Sequence, residues 1–127
     1  MVEIARIGDM KQKHGRRFLQ RCFTPGEIAL AQGRKRELQH LAGRFAAKEA
    51  ILKALGTGWS RGIAWRDMDI VRLPSGAPSL RLTGVAAEIA REMNIDRWLI
   101  SLSHTDTHAV ATAIAIGPAG FPRSPNQ

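Results

Sequence analysis

Arg44-Phe45-Ala46-Ala47-Lys48-Glu49-Ala50-Ile51-Leu52-Lys53 lies within the longest helical pattern of this chain. Around it Leu38, Leu41, Phe45, Leu52 and Leu55 recur at helical spacing, which predicts a helix over residues 35–55 with one apolar face. Gly56-Thr57-Gly58 is expected to close it, since glycine accepts the left-handed turn at a helix end. Residues four apart on a helix lie ~40° out of line. Phe45, Glu49 and Lys53 therefore climb one flank, and Arg44 and Lys48 the next. Cations and a carboxylate so gather beside an apolar stripe, and Ala46, Ala47 and Ala50 leave room for close approach. An exposed Glu49–Lys53 pair, worth ~0.3–0.5 kcal/mol, would account for part of the pattern. It does not account for Lys48, whose direction falls inside the apolar stripe between Phe45 and Leu52. A lysine there must snorkel or meet an anion.

Toward the N-terminus, Thr24-Pro25-Gly26-Glu27 reads as a helix start. Thr24 is the N-cap, Pro25 takes the first helical position and Glu27 closes a capping box, for a helix over 25–33. Residues 14–21 are basic, with Phe18, Leu19 and Phe23 as apolar anchors. Residues 2–7 alternate weakly, as a strand end or a helix start would. Toward the C-terminus, residues 67–73 alternate, with Met68, Ile70 and Arg72 on one side; 74–78 form a turn and 79–82 the return strand. Residues 85–93 fit a short amphipathic helix, and 98–103 and 109–116 two buried strands. The fold class is α+β, a small antiparallel sheet packed on helices. A single domain is expected over 1–116, and the tail 117–127, with its three prolines, is expected to be disordered.

Between the last two strands lies a second chemical cluster, Ser101-Leu102-Ser103-His104-Thr105-Asp106-Thr107-His108. Such a turn can offer backbone N–H groups and small donors to a phosphate. It is equally a polar hairpin tip whose Thr and Asp side chains satisfy the turn. A Ser-His-Asp hydrolase is a weak reading, because sequence neighbours rarely give triad geometry. Zinc at His104 and His108 lacks a cysteine pair or spaced carboxylate to complete it.

The 127 residues suit one compact domain, and 44% apolar content can build its core. A domain this small leaves much surface exposed, so self-association would help it. Cys22 is the single cysteine, which removes a disulfide framework and suits the reducing cytoplasm. No run approaches the ~18 apolar residues of a membrane span, and no signal core follows the start. A cytoplasmic protein without membrane attachment is therefore expected. The net charge of +8 calls for an anionic partner. A nucleic-acid-binding module would satisfy that charge, yet no reader motif is present, tyrosine is absent and aromatics make up only 6%.

Taken together the two clusters are more specific than either. Phe45-x-x-Lys48-Glu49-x-x-x-Lys53 resembles the signature of the phosphopantetheinyl transferase superfamily. The wider string from Leu41 to Ala50, then Lys53-Ala54-Leu55-Gly56-Thr57-Gly58, resembles its small carrier-protein synthase branch. Ser101-Leu102-Ser103-His104-Thr105-Asp106 is similar to that branch's second motif, and Arg17-Phe18, Phe23-Thr24 and Gly76-x-Pro78 fit the same pattern. The resemblance runs over residues 2–116.

It implies the 4′-phosphopantetheinyl transferase fold, assembled as a homotrimer with coenzyme A in clefts between subunits. The implied reaction moves 4′-phosphopantetheine from coenzyme A to a serine of apo-acyl-carrier protein, for fatty acid biosynthesis, and releases adenosine 3′,5′-bisphosphate. Glu49 would ligate Mg2+, which prefers oxygen ligands and keeps several waters. Glu49 and Lys53 would be catalytic, Lys53 stabilising charge on the leaving group. Arg44, Lys48, Lys53, His104 and Thr105 would bind the cofactor's phosphates. A carboxylate-oriented water at the metal, or Glu49 itself, would take the serine proton. Arg6, Arg17 and Arg21, with Arg16, would meet the acidic helix of the carrier protein.

One feature of the family has no counterpart. Its members carry a short strand rich in Gly and Ile, ending in an aspartate just before a Val-Glu-Ile-like stretch; that aspartate is a second magnesium ligand. Val2-Glu3-Ile4 matches the continuation, Met1 stands before it, and Asp9 comes too late to align. A shortened chain is the favoured expectation; the alternative is a variant with a weakened metal site, inert but still able to bind the carrier.

Overall fold

The computed structural model describes residues 1–118. Most of the tail expected at 117–127 therefore lies outside the described residues. Strand β1 (Val2–Glu3) passes directly into helix α1 (Ile4–His14), so the weak N-terminal alternation contains both a strand and a helix start. Helix α2 (Arg16–Cys22) follows a break at Gly15. Helix α3 (Pro25–Ala31) opens on the expected capping box: Glu27 N donates to Thr24 Oγ1 at 3.2 Å and Thr24 N to Glu27 Oε1 at 2.8 Å. Helix α4 (Glu37–Leu55) ends at Gly56, whose φ of 74° is the expected left-handed cap. A 3-10 turn (Trp65–Asp67) leads into β2 (Met68–Arg72) and β3 (Pro78–Leu82). Helix α5 (Gly84–Glu92) precedes β4 (Arg97–His104) and β5 (His108–Ile116).

The class is α+β, as the patterns predict, with the strands divided between two antiparallel sheets. One has the order β1-β5-β4 and the other is the β2-β3 hairpin. Helix α4 is the spine between them. Its first half packs with Val2, Ile7, Phe18, Phe23 and Ala109 in one core cluster. Its second half packs with Ile63, Met68, Ile70, Ile89 and Ile95 in another. Trp65 and Ala111 touch both.

Two expectations change here. Helix α4 does not have a single apolar face, because every residue from 41 to 48 is buried. Ala42, Gly43, Ala46 and Ala47 are small enough for neighbours to close in on all sides, so burial outruns the apolar pattern. Strands β4 and β5 are not buried on both faces. Leu99 pairs with Ile114, Ser101 with Thr112 and Ser103 with Val110, and these side chains point outward. Helix α4 covers the other face only, which leaves Leu99 51% and Ile114 50% exposed.

Candidate functional site

Helix α4 distributes its polar residues in three directions. Arg44 is only 6% exposed yet lines a surface cavity of ≈ 270 Å³. Arg36, His40 and Arg72 share that wall, and His104 and Ser103 reach it from the end of β4. The structure thus brings together Arg44 and His104, two of the expected phosphate ligands that lie far apart in the chain. Gly76 and Pro78 of the β2–β3 turn complete the rim. Among the described residues no carboxylate lines the cavity, and its charged lining, Arg36, Arg44 and Arg72, is cationic. Arg44 Nε is buried without a hydrogen-bond partner among the described residues, and Arg44 Nη1 lies 3.5 Å from His40 Nδ1. Burial, opposed by Glu27 and reinforced by Arg72 and Arg34, weakens the guanidinium's hold on its proton. A buried cation with an unused donor is a site awaiting an anion.

Lys48 points the other way. Its ammonium is 0% exposed and donates to Glu27 Oε1 at 2.6 Å, Cys22 O at 2.8 Å and Trp65 O at 3.3 Å. The expectation that Lys48 meets an anion holds, but that anion is an internal carboxylate. Its direction inside the apolar stripe carries it into the core, so the expected role as a phosphate ligand is corrected to a buried ion pair. Burial pulls the Lys48 pKa down, and Glu27 acts against that pull.

Glu49 is half-buried and Lys53 exposed, and the two form no ion pair among the described residues. Neither lines the Arg44 cavity. Thr105 also stands outside it; its Oγ1 accepts from Thr107 N at 3.3 Å and His108 N at 3.1 Å, satisfying the β4–β5 turn. No group of three or more His, Cys, Asp or Glu converges as a metal cage among the described residues. A hydrated magnesium ion needs less than that, since one or two carboxylates and phosphate oxygens suffice. Among the described residues the Glu49 carboxylate is engaged in no ion pair.

A second cavity, of ≈ 520 Å³, opens between α1 and α2. Arg6, Arg17 and Arg21, the three expected carrier contacts, line it together with His14. Its apolar lining includes Phe18, Phe45 and Trp65. Trp65 stacks on Phe45 with centroids 4.5 Å apart, and Trp59 adds a tilted neighbour at 4.5 Å. A cationic rim over an aromatic floor suits an acidic, partly apolar helix.

Sequence reasoning missed Arg36, His40, Arg72, His14 and the partner of Lys48. Three of these had a signal. Arg36, His40, Arg44 and Lys48 repeat every fourth residue, as do Arg6, Met10 and His14. Arg72 had none, because the end of a strand acquires its neighbours only when the hairpin docks.

Comparison with known proteins identifies the family. Residues 1–113 match the 4′-phosphopantetheinyl transferase superfamily. A holo-[acyl-carrier-protein] synthase of Desulforudis audaxviator is 45% identical over 119 residues, covering 94% of this chain and 90% of the relative. The crystal structure of the Helicobacter pylori holo-[acyl-carrier-protein] synthase in complex with coenzyme A superposes with TM-score 0.79 at 32% identity, covering 91% of this chain and 95% of that one. The Bacillus anthracis holo-(acyl-carrier-protein) synthase in complex with CoA (3′,5′-ADP) gives TM-score 0.74 at 31% identity, over 91% and 90% of the two chains. No helix among the described residues is long and apolar enough to cross a membrane. The matched length, the identity and the shared fold together place this chain in the 4′-phosphopantetheinyl transferase superfamily.

Proposed function

We propose that this chain transfers 4′-phosphopantetheine from coenzyme A to a serine of apo-acyl-carrier protein, releasing adenosine 3′,5′-bisphosphate. The observation that carries the proposal is the convergence of Arg44 and His104 on one cavity without a carboxylate. In the transfer, the serine oxygen forms a bond to the β-phosphorus while the bond from that phosphorus to the leaving bisphosphate breaks. The hydroxyl proton passes to a base, and the leaving group departs as an anion. Lys53 offsets the charge that develops there, and Arg44 and His104 hold the nucleotide end in position. Mg2+ at Glu49 would neutralise the pyrophosphate. Arg6, Arg17 and Arg21 bind the carrier in the groove between α1 and α2.

We place the reaction in a homotrimer. Leu99 and Ile114 form an exposed apolar pair across β4 and β5, with Val110 beyond the outward Ser101–Thr112 pair, and this face would be covered by a second copy. Clefts between copies would bring the Arg44 cavity of one subunit beside groups of its neighbour. The buried Cys22 thiol, whose pKa is raised by burial, suits the reducing cytoplasm, where a role in fatty acid biosynthesis would lie.

Incubation with magnesium, coenzyme A and apo-acyl-carrier protein tests this directly. Mass spectrometry should show the carrier gaining phosphopantetheine at its serine. An unchanged carrier mass overturns the assignment.

A further inference from the structure

The Arg44 cavity contains one residue that can change its charge in the physiological range and that also touches a buried cation. We propose that His40 is a positioning residue of this cavity: as a neutral imidazole it accepts from the Arg44 guanidinium, and it takes up a proton when a phosphomonoester dianion enters. The proposal rests on the reading of this cavity as the nucleotide-phosphate end of the coenzyme A site.

Geometry sets the first half. Arg44 Nη1 and His40 Nδ1 are 3.5 Å apart, one helical turn from each other on α4. A guanidinium has donors only, so the Nδ1 lone pair must face it and the ring proton must sit on Nε2. A second ring proton would set N–H against N–H. The surroundings enforce the same state. Arg44 on α4, Arg34 in the loop before it, Arg72 on β2 and His104 on β4 all act against the imidazolium, after burial itself. Arg36 lines the same wall. The His40 pKa is accordingly held below its ordinary value in the free protein.

A phosphate dianion offsets the cationic surroundings of His40. It supplies acceptors for Arg44, including the unpartnered Nε, which releases the imidazole from that duty. It places negative charge beside His40, which raises the affinity of the ring for a proton. The sign follows by linkage. Binding takes up protons in the window between the depressed free-state value and the elevated bound-state value. Affinity therefore rises as pH falls through that window and levels off below it.

Calorimetric titration of the whole chain with 3′,5′-ADP reads this out, in buffers of differing ionisation enthalpy near pH ~6.5, the ordinary imidazole range. Wild type should take up more protons than His40→Gln, which keeps an acceptor for Arg44 but cannot titrate. Between about pH 8 and 6 the wild-type affinity should rise up to ~10-fold more than that of H40Q, the ratio one pKa unit provides. The ligand's phosphate and every other cavity residue are the same in both proteins, so the difference isolates His40. Equal uptake and equal pH slopes overturn the proposal. NMR titration of the His40 ring in wild type gives a second reading that needs no variant; a pKa unchanged by 3′,5′-ADP overturns it equally. Absence of any 3′,5′-ADP binding by wild type would overturn the functional reading of the cavity along with it.

Discussion

Lys48 and Glu27 form an ion pair at 2.6 Å with both side chains fully buried. The lysine has three donors and meets three acceptors, Glu27 Oε1, Cys22 O and Trp65 O. The glutamate uses its second oxygen to accept from Ile70 N at 2.8 Å. One interaction thus ties α3, α4 and β2 together. Its desolvation cost is met only because every donor and acceptor finds a partner.

Removing either partner leaves a buried charge alone. Lys48→Met and Glu27→Gln should each lower unfolding stability by about 3–5 kcal/mol, and the double variant by less than the sum. Urea unfolding measures this. The KM for coenzyme A of the folded K48M protein should be unchanged, because its ammonium faces the core. A several-fold rise in that KM with stability intact would restore the phosphate-ligand role for Lys48.

This pair also marks how far the sequence could be read. The capping box at Thr24 and Glu27 and the cap at Gly56 were legible because they are local: the residues that satisfy one another lie within a few positions. The need of Lys48 for an anion was legible from its direction on the helix. Which anion was not, since Glu27 already had a sufficient local role as a capping residue. The same limit applied to the site. Arg44 and His104 were each recognisable within a motif, but their shared cavity depends on β4 lying across α4. Outward-facing Leu99, Val110 and Ile114 read as core because apolar side chains in a strand look the same in sequence whether or not a helix covers them.

Glu49 and Lys53 carry the chemistry in the proposed reaction, and no ion pair among the described residues depends on them. Glu49→Gln and Lys53→Ala should each reduce kcat by ~100-fold or more while shifting the unfolding midpoint little. Chelation with EDTA should abolish transfer, and added magnesium should restore it. Full activity in EDTA would remove the metal from the mechanism and Glu49 from its role.

Arg17 and Arg21 stand exposed on the rim of the α1–α2 cavity. Charge reversal to glutamate should raise the KM for the carrier protein by ~10-fold each and flatten its dependence on salt, since rim charges act chiefly on encounter. The KM for coenzyme A should not move, because the cavity proposed to hold the nucleotide shares no lining residue with this one. Equal effects on both substrates would mean the two cavities are one site.

Gly84 begins α5 with φ of 58°, and a Cβ there would stand 2.7 Å from Asp67 Oδ1. Asp67 is not free to swing aside: its Oδ2 accepts from Ala64 N at 3.2 Å and Ala86 N at 3.4 Å. Gly84→Ala should therefore cost about 1–3 kcal/mol, from left-handed strain plus a displaced carboxylate. Pairing it with Asp67→Ala separates the terms, because the steric part vanishes in the double variant and the backbone part remains. A neutral G84A would mean that α5 can begin in another conformation.

The outward pair Leu99 and Ile114 gives the sharpest test of assembly. The two stand opposite each other on β4 and β5, each about half exposed, and Val110 is exposed on the same face beyond Thr112. Leu99→Glu with Ile114→Glu puts charge onto a face that a monomer leaves in water, so the folded monomer should tolerate both. Burial against a second copy would instead desolvate two carboxylates without partners, at several kcal/mol each. Light scattering should show wild type at three times the mass of the variant, with circular dichroism unchanged. Transfer activity should fall with the loss of assembly if clefts between subunits complete the site. A wild-type monomer would remove the trimer, and a dissociated variant with full activity would show that one subunit suffices.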